Sequence, residues 1–333
     1  MSTSTSRQQA AASSPPLLVL YDDGTNADHQ RRTTLYSVAD DVHRPYDIDD
    51  ELLRTKRSWV TTSHGGWVLT FDPETLATFL WNPHATTNVI TLPSFGQSPP
   101  TLKASCTLSN KPTSRRFTVV MVDTNSNVMW YCHVSSPAAV SSSLSSWTKQ
   151  EYDDDDDELR SICCLAPSPC GGDGKFYYLI SRGLYGVLDF SAPDQPVFGT
   201  VRLKPISLFA MNDILVYSPF LLDINGKLCR VFIFHGDTCN IVIDVAIDRV
   251  DIEKQRHTAI RSIGDRAILV GGTHDFAGWC RASCHGLLPN SIYWMNPRDS
   301  TLRVYRIGHN TEEIRTRLIV SPTPSSNLCP AQQ

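Results

Sequence analysis

From Leu17 onward the chain alternates short apolar runs with clusters of turn residues. LLVLY (17–21), WVLTF (67–71), FTVVMV (117–122), KFYYLI (175–180), CRVFIF (229–234) and SIYWM (291–295) are typical of these runs. They are rich in Val, Ile, Tyr, Phe and Trp, side chains that suit a pleated, half-buried surface. Between them lie DPET (72–75), NPHA (82–85), DING (223–226) and HGD (235–237), which supply the preset or positive φ of tight turns. Two stretches, 153–160 and 251–261, are the best helix candidates, and neither sustains an apolar 3.6-residue period. Many short strands with turn signals every ~8 to 12 residues predict an all-β fold: sandwich, barrel or propeller.

The runs collect into groups of four, each about 40 to 50 residues long, as propeller blades do. The groups are 58–92, roughly 101–150, 159–203, 212–254 and 258–295. A last blade would pair C-terminal strands at 291–318 with N-terminal strands at 17–38 and so remove the open sheet edges. The expectation is a single β-propeller of about six four-stranded blades over residues 17–320, with the N- and C-terminal strands closing the ring. The polar stretches 1–16 and 321–333 are expected to be disordered tails.

Composition narrows the function classes. The 333 residues carry a net charge of -4, and the 30 Lys and Arg are scattered, so neither nucleic acid nor an anionic membrane surface is an expected partner. No stretch approaches the ~18 apolar residues of a membrane span. The first residues lack the apolar core of a signal peptide, and no Asn-X-Ser/Thr sequon occurs. These features point to the cytoplasm, the nucleus or both, where the ten Cys are expected as reduced thiols.

Three ordered motifs carry a family resemblance. In residues 65–93, GGWVLTFDPETLATFLWNPHATTNVITLP, and just before them, the marks are Ser63, His64, Gly65, Trp67, Asp72, Asn82, Pro83, Leu92 and Pro93. GDGKFYYLISRGLYGVLDF (172–190) is the second, and SIGDRAILVGGTHDFA (262–277) followed by GLLPNSIYWMNPRD (286–299) is the third. Together they resemble the plant KIB-type β-propeller family, also called domain of unknown function 295. The resemblance implies a substrate-recognition propeller of the kind found in plant F-box proteins, with protein ligands that include signalling kinases for some relatives. Before Leu17 only a polar stretch is present, without the Leu-Pro start of an F-box, so docking to a Skp-type adaptor is not expected.

The same residues also have structural readings. Asp72-Pro73 and Asn82-Pro83 set turns, while Trp67, Trp81, Tyr177, Tyr178, Tyr293 and Trp294 are expected to pack between blades. Cys280-x3-Cys284-His285 and Cys163-Cys164-x5-Cys170 lack the paired spacing of structural zinc sites. Cys163 and Cys164, adjacent in a strand, are expected to face opposite ways. The acidic run Asp153–Glu158 lacks the alternate carboxylates and glycine of a calcium loop. No nucleophile elbow, P-loop or dinucleotide fingerprint is present, and His64 and His235 read as turn residues. Neither catalytic residues, nor a metal, nor a cofactor is expected.

The resulting expectation is a non-catalytic protein-interaction propeller. Its candidate binding residues lie on idiosyncratic rim loops: Arg31, Arg32, Arg44, Tyr46, Trp147, Tyr152, Trp279 and Arg281. Trp, Tyr and Arg dominate binding hot spots. The alternative is a small-molecule or metal site in the central channel, which needs convergent carboxylates or His near the strand ends of several blades.

Overall fold

The computed structural model of the chain describes residues 17–22, 32–38, 40, 42–44, 56–64, 66–83, 85–96, 100–101, 104–123, 126–135, 146–152, 162–169, 174–192, 195–204, 216–236, 242–271, 276–296 and 301–317. Blade one comprises β4 (Arg57–Val60), β5 (Val68–Phe71), β6 (Thr78–Asn82) and β7 (Ala85–Leu92). Blade two comprises β8 (Ser105–Leu108), β9 (Arg116–Asp123), β10 (Val128–Ser135) and β11 (Thr148–Glu151). Blade three is β12 (Ala166–Pro167), β13 (Lys175–Ser181), β14 (Leu184–Asp189) and β15 (Val197–Arg202). Blade four is β16 (Val216–Asp223), β17 (Leu228–His235), β18 (Val242–Asp251) and β19 (Arg256–Ala259). The N-terminal strands β1 (Leu17–Asp22), β2 (Arg32–Ser37) and β3 (Val42–Arg44) form a separate three-stranded sheet.

The propeller has five blades, not the expected six. The difference lies at the C-terminus, where β20 (Arg266–Gly271), β21 (Phe276–Arg281), β22 (Ser291–Asn296), β23 (Thr301–Arg306) and β24 (Thr311–Arg317) form one five-stranded sheet in the order β21-β20-β22-β23-β24. β22 runs parallel to β20, with Ala267 opposite Ser291. The C-terminal strands therefore widen the fifth blade instead of building a sixth with β1 and β2, which pair with each other from Leu17↔Ser37 to Asp22↔Arg32. Asn290 holds the crossover in place. Its side-chain oxygen accepts the Ile263 N–H at 2.9 Å and its Nδ2 donates to the Ile307 carbonyl at 2.9 Å.

Packing follows the blade order. Leu69, Phe71 and Leu80 of blade one meet Cys106, Val119 and Met121 of blade two. Val120 and Met129 meet Phe176 and Tyr178 across the next interface, and Tyr185 meets Phe232 across the third. Blades four and five share Val231, Ile233, Ile268 and Trp294. Fully burying one such side chain stabilises by roughly 1.5 to 3 kcal/mol, so middle strands apolar on both faces dominate the energetics. On the far face of blade five, Val38 from the end of the N-terminal sheet is buried with Leu269, Tyr293 and Leu302.

Two other expectations change. Residues 251–261 form the turn into β19 and that strand, not a helix. The Asp251 carboxylate accepts the Lys254 N–H at 3.1 Å and Gln255 takes a left-handed φ of 48°, so the segment reverses as a hairpin. The helix expected at 153–160 and the tails 1–16 and 321–333 lie outside the described residues. The expected turn at Asp72 is present: its Oδ1 accepts the Glu74 N–H at 2.9 Å.

Candidate functional site

Each blade turns one edge strand to the propeller axis: β4, β8, β12, β16 and β21. These strands are tied to one another. Thr61 and Cys106 form a parallel bridge between blades one and two. Thr62 donates its N–H to the Cys106 carbonyl at 2.9 Å and its hydroxyl to the Leu165 carbonyl of blade three at 3.2 Å. The Cys164 thiol donates to the Pro219 carbonyl at 2.9 Å, and the Trp279 indole N–H donates to the Asp223 carbonyl at 2.7 Å. Thr62 thus ties blade one to β8 and to the residue before β12, and these bonds make the floor of the axial region.

Above that floor, at the C-terminal ends of the inner strands, polar residues from several blades gather. Ser63 and Leu108 exchange hydrogen bonds, hydroxyl to carbonyl at 3.0 Å and N–H to hydroxyl at 3.1 Å. His64 follows with a left-handed φ of 59°. Burial pushes the His64 pKa below its ordinary value, as does Lys111, against the opposing pull of Asp223 and the carbonyls of Ser109 and Leu108. His64 follows the inner strand of blade one and Asp223 ends that of blade four, at the same end of the propeller. The His64 Nε2 is buried and has no hydrogen-bond partner among the described residues.

Blade five completes this mouth. The Arg266 guanidinium lies 5.4 Å from the Trp279 ring centre and donates Nη1–H to the Ile263 carbonyl at 2.8 Å. Its Nε reaches the Asn225 side-chain oxygen at 3.2 Å. Arg281 and Lys111 are exposed. The mouth therefore combines an aromatic ring, one half-buried and two exposed cations, and one histidine. Asp223 is half-buried and its Oδ1 accepts the Lys227 N–H at 3.0 Å.

The residues expected on rim loops fall into three groups. Trp279 and Arg281 come together at the axis, on strand β21 instead of a loop. Trp147 and Tyr152 flank β11 and pack into the body of the propeller. The Trp147 ring stacks on Phe95 at 4.2 Å and its N–H donates to the Pro93 carbonyl at 2.8 Å, while Tyr152 is buried with Val122 and Phe176. Arg32 and Arg44 stand at the ends of β2 and β3, and Arg31 and Tyr46 lie outside the described residues.

A scan against family models matches the KIB1-4 beta-propeller over residues 35–312. The chain belongs to the KIB1-4 β-propeller family.

Within this KIB1-4 propeller, the motif that begins at Ser63 runs from the axial mouth through the two middle strands of blade one. Trp81 is fully buried and donates its indole N–H to the Thr70 hydroxyl at 2.9 Å. Tyr178 and Tyr293 are likewise buried between elements, as their expected packing roles require. No curated protein matches the chain. Among solved structures, a novel fungal alcohol oxidase of the AA5 family, in complex with copper, is similar at 11% identity and a TM-score of 0.33, covering 86% of this chain and 66% of that one. A likeness at that level carries no argument about function.

The Cys163 and Cys164 thiols reach different carbonyls, Leu179 of blade three at 3.4 Å and Pro219 of blade four at 2.9 Å. Yet they also lie close enough to hydrogen-bond each other, so they do not point to opposite faces as expected. They precede β12 instead of lying within it, and Cys164 adopts a left-handed φ of 55°. His235 ends β17, buried, where its Nε2 pairs with the Ser218 hydroxyl at 3.0 Å and its ring packs on Trp294, so it is not a turn residue. Among the described residues, no three His, Cys, Asp or Glu gather as a metal would require. Of the mouth residues, Lys111 carries no motif of its own in the sequence, while Asp223 reads there as the start of the DING turn, Arg266 as part of the third family motif, and His64 as a turn residue of the first. None of them stands out there for binding. Their shared signal is position: each follows, ends or neighbours an inner strand at the same end of the propeller.

Proposed function

We propose that this KIB1-4 propeller is a non-catalytic protein-binding module of the cytoplasm or nucleus, working through the axial mouth. One observation carries the reading: Trp279, Arg266 and Arg281 stand together on strand ends whose backbones are tied across blades. Aromatic and arginine side chains held rigid before binding lose little entropy on contact, which suits a hot spot. Arg31, Arg44 and Tyr46, singled out from the sequence, are further candidates for substitution. Signalling kinases, suggested by the family resemblance, are the first partners to test, and no Skp-type adaptor is expected in the complex.

The experiment is capture of protein partners on immobilised propeller, followed by titration of each purified partner against wild type, Trp279→Ala and Arg281→Ala. The reading expects a saturable partner whose affinity falls at least roughly tenfold in Trp279→Ala. Turnover of a small molecule by the purified protein, or partners indifferent to both substitutions, would overturn it.

A further inference from the structure

We propose that the axial mouth receives an acidic peptide, an extended partner segment whose Asp or Glu carboxylates meet Lys111 and Arg281 beside the Trp279 face, with His64 at the floor. This rests on the protein-binding reading above and adds the chemistry of the partner.

Charge is the first argument. Among the described residues, the inner-strand ends carry Lys111, Lys227, Arg266 and Arg281 against Asp223 and Asp265, although the whole chain has a net charge of -4. Both carboxylates are engaged within the protein. Asp223 accepts the Lys227 N–H, and Asp265 accepts from the Ser283 hydroxyl and N–H at 2.5 and 3.0 Å. Arg266 is committed to Trp279 and Ile263, while Lys111 and Arg281 are exposed, Arg281 also acting on Asp265. Two exposed cations near a fixed aromatic ring suit side-chain carboxylates spaced along a strand.

His64 is the second. The carbonyls of Ser109 and Leu108 and the charges of Asp223 and Lys111 act on its ring, and its Nε2 is buried without a hydrogen-bond partner among the described residues. These two are the charged groups that act on the ring. A carboxylate brought to the mouth favours the protonated ring, so binding takes up a proton and tightens as pH falls from about 7.5 to about 6. A dense polyanion such as RNA is a poorer match, because the Lys and Arg of the chain are scattered and form no continuous basic stripe to track a phosphate backbone.

The test uses the full chain and a fluorescein-labelled peptide of alternating Glu and Gly, followed by anisotropy at low and high salt, with the Gln-for-Glu peptide as neutral control. The expected result is binding to the Glu peptide alone. It should weaken at least about tenfold in the Lys111→Ala/Arg281→Ala double variant and at high salt, and stay unchanged in Lys149→Ala on β11. His64→Asn, a residue that tolerates the left-handed backbone, should remove the gain on acidification. Equal binding of the Gln peptide, no binding at millimolar peptide, or tighter binding of a single-stranded RNA lost in the same double variant would each overturn the proposal. A captured protein partner that binds the double variant as well as wild type would sink the acidic-peptide assignment while leaving protein binding intact. The absence of any protein partner would instead remove the reading beneath it.

Discussion

Arg230 on β17 and Asp248 on β18 form an ion pair of 2.6 Å with side chains 1% and 0% exposed. The guanidinium also donates to the Arg182 carbonyl of blade three, and its carbon lies 4.6 Å from the Phe232 ring centre. The pair thus links blades three and four inside a dry interface. Removing one partner strands the other charge. Arg230→Met or Asp248→Leu alone is expected to cost about 3 to 5 kcal/mol, and the double replacement markedly less than the sum of the two. Urea denaturation of the three variants measures this; additive losses would show that the two residues act independently.

Gly186 on β14 faces Tyr178 on β13 so closely that a Cβ would sit 1.9 Å from the ring. The ring is fully buried and cannot swing away. Gly186→Ala should therefore destabilise by about 1 to 3 kcal/mol or more, with partial recovery in Gly186→Ala/Tyr178→Leu. Thermal or urea midpoints of the single and double variants check this, and no recovery would place the strain elsewhere than this contact.

Trp147 and Trp279 separate stability from binding. Trp147 stacks on Phe95 and bonds the Pro93 carbonyl, joining blades one and two. Trp147→Ala should lower the denaturation midpoint by the equivalent of about 3 kcal/mol, and Trp147→Phe by less, because stacking survives. Trp279→Ala should affect partner affinity at a smaller cost to stability. Equal stability losses in the two alanine variants would contradict this division.

Middle strands were legible in the sequence because both their faces are buried and their runs are apolar, as in FTVVMV and CRVFIF. Inner strands were not: β8 is SCTL and β12 is AP, small or polar residues packed near the axis. Outer strands such as β11, TKQE, and β19, RHTA, are polar because one edge meets solvent. Blade number failed for a related reason. A period of two marks β22 as a strand but says nothing of whether it runs parallel to β20 or beside β1. The left-handed backbone at His64 agrees with a turn, yet the burial of its Nε2 depends on blades two and four, which its own segment does not encode.

Acid should weaken the fold in two stages. His64, His133, His257 and His285 all hold pKa values below 6.5, burial being the leading cause in each. A histidine with a depressed folded pKa binds its proton in the unfolded chain first, so stability present above about pH 6.5 is lost as pH falls from there through the folded value. For Asp72 and Asp189, burial is the largest single influence and pulls the pKa upward. Hydrogen bonds from Glu74 and Thr75 to Asp72 and from Ser191 and Lys175 to Asp189, with the charges of Lys56 and Lys175, together hold both below 3.8. Their contribution disappears below that pH. Denaturation midpoints should fall between about pH 7.5 and about pH 5.5, and less steeply in His257→Gln. A midpoint that rises on acidification would contradict both the direction of these shifts and their cause in burial.

The axial mouth is best tested by hydrogen–deuterium exchange of the propeller with and without a captured protein partner. Binding at the mouth predicts new protection at residues 61–64, 108–111, 223–227 and 279–282, where the inner strands end. Protection confined to outer strands β7, β11, β15 and β19, with these segments unchanged, would contradict it.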